Sequence, residues 1–215
     1  MEKSIITRRY TFGEEVGNAI SHGAMALITL GGIAPAAIHA FVRLGGLAAA
    51  GTAIFMCSIF LMFLFSTLYH SMAADTTHKR VLQILDHIFI YVAIAGTYTP
   101  IALSVIGGWI GVTVVVIEWV TVLFGILYKS ISTRHIPKVS LTIYLVMGWS
   151  IVLVGPMFMR NASLGLQVLV LGGGVFYSAG VYFYARKDKK YFHMVWHLLV
   201  SLGALCHFLG ILLFL

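Results

Sequence analysis

Seven long apolar runs, separated only by short polar segments, restrict this chain of 215 residues to a membrane. A helix needs roughly 20 largely apolar residues to cross the hydrocarbon core. The runs lie near residues 17–41, 47–70, 84–105, 109–128, 139–158, 164–185 and 193–214. Only helices and closed barrels satisfy the backbone in lipid. These runs are too long and too continuously apolar for barrel strands. They predict an all-α, polytopic membrane protein, a bundle of seven transmembrane helices. Charge agrees: Asp, Glu, Lys and Arg make up 10% of the chain, against roughly 25% in soluble domains. No polar stretch is long enough to build a separate soluble domain.

The basic residues alternate with the runs. Lys3, Arg8 and Arg9 precede the first run, and Lys79 and Arg80 follow the second. Lys129, Arg134 and Lys138 follow the fourth, and Arg186, Lys187, Lys189 and Lys190 follow the sixth. Only Arg43 and Arg160 fall on the other side. The positive-inside rule then predicts a cytoplasmic N-terminus and an extracellular C-terminus. Residues 1–16 are expected to form a cytoplasmic segment and 17–215 the transmembrane domain of a multi-pass protein of the cell (plasma) membrane. The net charge of +7 follows from this asymmetry and suits anionic lipid. Membrane lipids are therefore the expected partners. Nucleic-acid binding is a poor alternative, because the charges are scattered over four short segments. No signal peptide is expected, since the first run follows a charged segment without a clear cleavage site.

Pro35, Pro100 and Pro156 sit in or near runs, where proline bends helices. Gly172, Gly173 and Gly174 point to close helix contact in the sixth span. Cys57 and Cys206 have no metal-type spacing and read as buried packing thiols.

Ionisable residues inside spans are costly and mark function by default. Here they gather at one depth. Ser66 and His70 end the second span, Asp86 and His87 open the third, and His193 and His197 open the seventh. Glu14, Asn18 and His22 add a polar face at the start of the first, at i, i+4, i+8 spacing. His193 and His197 project from one helix face, a spacing that suits two ligands on one metal ion. With a third histidine, His70, one position stays open for water, the pattern of catalytic zinc. Asp86 is placed to hold or deprotonate that water, and Ser66 to hydrogen-bond it or a substrate oxygen. The segment HMVWH carries methionine where soluble zinc peptidases carry the glutamate base, so any base must come from elsewhere.

Histidines four apart also arise by chance, and interfacial histidines can simply bond backbone or headgroups. The convergence of His70, Asp86 and the pair at one depth favours metal. His207 lies ten residues beyond His197, about 15 Å deeper, and is not expected to share the ion. His39, His78 and His135 read as solvated loop or interface residues. Glu118 is a carboxylate within the fourth span, for which a pairing and a functional role are both open. Trp109 and Tyr191 read as interface anchors.

The strings EEVGNAISHG, STLYHS, LDHIFIYVAIAGTYTP and HMVWHLLVSLGALCHF resemble the bacterial hemolysin III family. That family sits with the progestin and adipoQ receptors and, more distantly, the alkaline ceramidases. The resemblance covers nearly the whole chain. It implies seven helices and a zinc ion near the cytoplasmic face, held by His70, His193 and His197. It also implies that Asp86 contacts the zinc through water and that Ser66 is the motif serine. Members have been labelled haemolysins, receptors, lipid-amide hydrolases and regulators of membrane state, so the resemblance transfers the site better than the reaction. Two functions follow. In one, a zinc-dependent hydrolase cleaves a lipid amide or ester at the cytoplasmic face, with Asp86 and Ser66 catalytic. In the other, a non-enzymatic regulator, receptor-like or cytolytic protein carries a structural zinc. A pore has little support, because no span carries a polar stripe along its length.

Overall fold

Thr11 sets the start of the first helix. Its Oγ1 accepts from Glu14 N at 3.4 Å, and the Glu14 carboxylate accepts from Thr11 N at 3.0 Å, a reciprocal cap. Helix α1 (Phe12–Leu44) ends at Gly45, and α2 (Gly46–Ser71) begins at once. Gly45 has φ of +86°, a conformation open to glycine without Cβ strain. One residue therefore reverses the chain between two long helices. The computed structural model describes residues 10–131, 137–186 and 188–215. Lys3, Arg8, Arg9, Arg134, His135 and Lys187 lie outside the described residues, as does the side chain of Lys138.

Helix α3 (Thr77–Ile101) is capped by Thr76, whose Oγ1 accepts from Lys79 N at 3.1 Å. Pro100 lies near its end and a π-helical segment, Ala102–Ile106, follows. Gly107 and Gly108 then turn the chain into α4 (Gly108–Ile131). The fifth span is interrupted. It consists of α5 (Pro137–Gly148), a 3₁₀ segment at Ser150–Val154 and α6 (Gly155–Asn161). Tyr98 of α3 occupies the break: its hydroxyl accepts from Ile151 N at 2.8 Å and donates to Gly148 O at 3.0 Å. Helices α7 (Leu164–Ala185) and α8 (Phe192–Phe214) complete the chain. Among the described residues, seven helices or joined segments are long and apolar enough to cross a membrane.

The core is largely apolar, yet the outer surface is apolar too, and the ionisable groups of the spans are turned inward. Leu27, Ile28, Val116, Val120, Leu123 and Leu127 are exposed, whereas Glu14, Asn18, His22, Asp86 and Glu118 are buried. Lipid solvates the outer side chains, so the polar groups must find partners inward. Cys57 departs from the expected buried thiol: it is exposed, and Cys206 is half-buried. In lipid an outward apolar thiol carries no hydration penalty, so burial is not required.

Gly173 shows why the sixth span is glycine-rich. A Cβ there would run into the His207 ring of α8, with Gly203 O at 3.0 Å, whereas one at Gly172 would meet nothing within 4 Å. The close contact belongs to Gly173 alone of these two.

A candidate metal centre between the first, second and last helices

Position in the helices assembles the site. His193 and His197 sit in the first two turns of α8, and His70 is in the last turn of α2. The Nε2 atom of His193 lies 3.2 Å from His70 Nε2 and 3.2 Å from His197 Nε2. All three side chains are buried, His197 completely. Three ligand atoms, one from each ring, lie within 4.8 Å of one another.

The outer nitrogens are occupied by acceptors from α1. His70 Nδ1 donates to Glu15 Oε2 at 2.6 Å, and His197 Nδ1 donates to Asn18 O at 3.1 Å. With Nδ1–H committed outward, each ring turns an Nε2 lone pair inward. One proton on His193 Nε2 cannot be directed at both lone pairs. A cation can satisfy all three nitrogens. The spacing agrees, because zinc–nitrogen bonds of 2.0–2.1 Å in a tetrahedron imply nitrogen separations of about 3.3 Å. The donor set therefore fits a divalent ion, and outer partners of this kind are what orient metal-binding histidines.

Glu15 was not among the residues singled out from the sequence. Its neighbour Glu14 is instead consumed by the Thr11 cap and accepts from Tyr191 N at 3.0 Å. Tyr191 is thus more than an interface anchor. Its backbone, at φ of +62°, turns the chain into α8 and ties it to the start of α1. Glu15 also accepts from Lys79 Nζ at 2.6 Å, and Lys79 donates to Met72 O at 3.0 Å. Tyr10 stacks on His193 with ring centroids 5.0 Å apart.

Ser66 and Asp86 are buried, and Asp86 is not one of the three clustered ligand residues. Both line a cavity of about 130 Å³ that extends past Trp196 to Val170 and His207. Ser66 Oγ has no hydrogen-bond partner. Asp86 lies within electrostatic reach of the hydroxyls of Tyr69, Tyr144 and Tyr184. His207 is not part of the histidine group; its Nε2 donates to Val170 O at 3.0 Å. His87 is turned aside, with Nδ1 donating to Gln83 O at 2.6 Å. Glu118 is held apart from the site, accepting from Ser150 Oγ at 2.7 Å. His78 is exposed, and His39 lies near Arg43 at the opposite end of α1.

Comparison with known proteins gives the family. Residues 10–208 match the family model described as haemolysin-III related. The chain belongs to that family. A Hemolysin-3 homolog of Bacillus subtilis (strain 168) is 37% identical over 210 residues, covering 95% of this chain and 96% of that protein. Hemolysin-3 of Bacillus cereus is 35% identical over 202 residues, covering 94% and 91%. More distantly, the human monocyte to macrophage differentiation factor is 28% identical over 167 residues, covering 73% of this chain and 65% of its own length. As a haemolysin-III related protein with seven apolar spans, the chain is a multi-pass membrane protein.

Proposed function

We propose that this haemolysin-III related protein is a zinc-dependent hydrolase that cleaves a lipid amide or ester at the cytoplasmic face of the membrane. The observation that carries it is the convergence of His70, His193 and His197 beside a cavity lined by Ser66 and Asp86. Three histidines suit zinc with one open position, the arrangement of catalytic rather than closed structural sites. When bound, zinc supplies Lewis acidity that polarises a lipid carbonyl and makes water more acidic. Glu15 and Asn18 hold two of the ligand rings in register. Ser66 Oγ–H donates to the carbonyl oxygen. The Asp86 carboxylate takes the proton of the attacking water and returns it to the leaving amine or alkoxide. One water is consumed, and a fatty acid and an amine or alcohol leave.

The cavity runs from Ser66 and Asp86 past Trp196 to Val170 and His207. It suits the reacting head and the first part of a chain, with the rest lying in the bilayer. The cytoplasmic placement follows from the positive-inside rule and the basic residues near this end.

The test is hydrolysis by purified protein in lipid nanodiscs, against a panel of long-chain amides and esters. Fatty-acid release that falls about 100-fold or more in Asp86→Asn is expected, the usual worth of a general base. Equal background release by both proteins across the panel contradicts the proposal. It would leave the alternative of a non-enzymatic protein braced by zinc, regulatory or, as the names of the two Bacillus relatives suggest, cytolytic.

A further inference from the structure

His22 is a buried histidine of α1 that the metal site does not use. It lies in α1, 1% exposed, and neither of its ring nitrogens makes a hydrogen bond of good geometry; its polar contact is with the His197 backbone. Its ring stacks on His197, with centroids 3.7 Å apart and planes 9° apart, and meets Phe63 edge-on at 4.9 Å. It lines the same cavity as Ser66 and Asp86.

Packing alone does not call for histidine here. An imidazole carries at least one N–H whatever its tautomer, and a buried donor or acceptor without a partner costs about 1–3 kcal/mol. The large majority of buried side-chain polar atoms avoid that cost. Phenylalanine would fill the same stack without it. Two ring nitrogens without a well-formed bond, on a cavity that Ser66 also lines with its Oγ unpartnered, suit a polar occupant of that cavity.

We infer that His22 is a lipid-binding residue. Its ring N–H donates to the carbonyl or hydroxyl oxygen at the head of a long-chain lipid seated in the cavity. Ser66 Oγ–H offers a second donor. The inference rests on the proposal that a lipid occupies the cavity. It requires neither hydrolysis nor a bound metal.

The test uses the protein as purified, in nanodiscs, with Trp109→Phe, Trp119→Phe and Trp149→Phe so that Trp196 is the sole tryptophan, and dibromostearyl alcohol as ligand, whose head has no bond to hydrolyse. Its bromines quench Trp196, which lines the cavity with its ring 6.2 Å from that of His22. Saturable quenching by wild type is expected. His22→Phe is expected to weaken it about tenfold, the loss of one hydrogen bond, while Tm stays equal or rises. His22→Gln, which keeps a donor and an acceptor, is expected to bind within about threefold of wild type. Wild-type affinity in His22→Phe overturns the inference. So does an equal loss in both variants accompanied by a fall in Tm, which marks a structural role. If His22→Phe does not fold, His22→Gln decides alone: retained binding supports the inference, and lost binding overturns it. No saturable binding to wild type overturns it too, while the turnover assay with other lipid heads still judges the hydrolase proposal separately.

Discussion

His70 Nδ1 lies 2.6 Å from Glu15 Oε2, so a candidate metal ligand on α2 is oriented by a carboxylate on α1. Lys79 of α3 grips the other oxygen of that carboxylate at 2.6 Å. Three helices thereby converge on one imidazole. Outer partners of this kind typically govern metal affinity by 10–100-fold. Glu15→Gln is expected to weaken metal binding within about that range, measured by competition with a chelator of known affinity. Lys79→Met, one step further out, should weaken it less. Unchanged affinity in Glu15→Gln would mean that the carboxylate does not act on the ligand.

The two neighbouring glycines of the sixth span should respond oppositely. Gly172→Ala places a methyl group where nothing lies within 4 Å, and thermal stability is expected to stay at the wild-type value. Gly173→Ala forces the methyl against His207 and Gly203 O, and overpacking of that kind costs about 1–3 kcal/mol. A lower Tm only for Gly173→Ala is the expected outcome. Equal Tm values would argue against the close approach of α7 and α8.

Glu118 is 2% exposed and bonded to Ser150 at the break in the fifth span. Glu118→Gln keeps an acceptor for that hydroxyl and is expected to leave Tm nearly unchanged. Glu118→Leu orphans Ser150 Oγ, at a cost of about 1–3 kcal/mol, and should lower Tm. If Glu118→Gln instead abolishes lipid hydrolysis without a change in Tm, the carboxylate has a functional rather than a bracing role.

Orientation is open to labelling. In a background with Cys57 and Cys206 replaced by alanine, single cysteines at Ala74 and at Gly46 sit at opposite ends of α2. With the N-terminus cytoplasmic, a membrane-impermeant thiol reagent applied to whole cells labels position 46 and spares position 74. The reverse pattern would invert the topology and move the metal centre to the outer face.

The parts of this fold that hydropathy determines were legible in the sequence. Apolar length marks the spans, and i, i+4 spacing places His193 and His197 on one face of α8. Helix ends were less legible, because lipid boundaries and helix boundaries differ. Helix α3 begins at Thr77, not near 84, since the Thr76 cap holds a polar turn outside the apolar run. The choice between Glu14 and Glu15 was hidden for a related reason. Both are acidic and adjacent, and only the Thr11 cap decides which carboxylate is left to meet His70. The break in the fifth span depends on Tyr98, a residue about 50 positions away. Local propensity carries no trace of such a contact.

The metal itself is the central claim, and elemental analysis tests it most directly. The protein is purified from its membrane without added metal, alongside His193→Ala and His197→Ala. About one zinc per wild-type chain, lost in both variants but retained in His207→Ala, is the predicted result. A folded wild-type protein that carries no stoichiometric metal, or one whose zinc survives both substitutions, would contradict it.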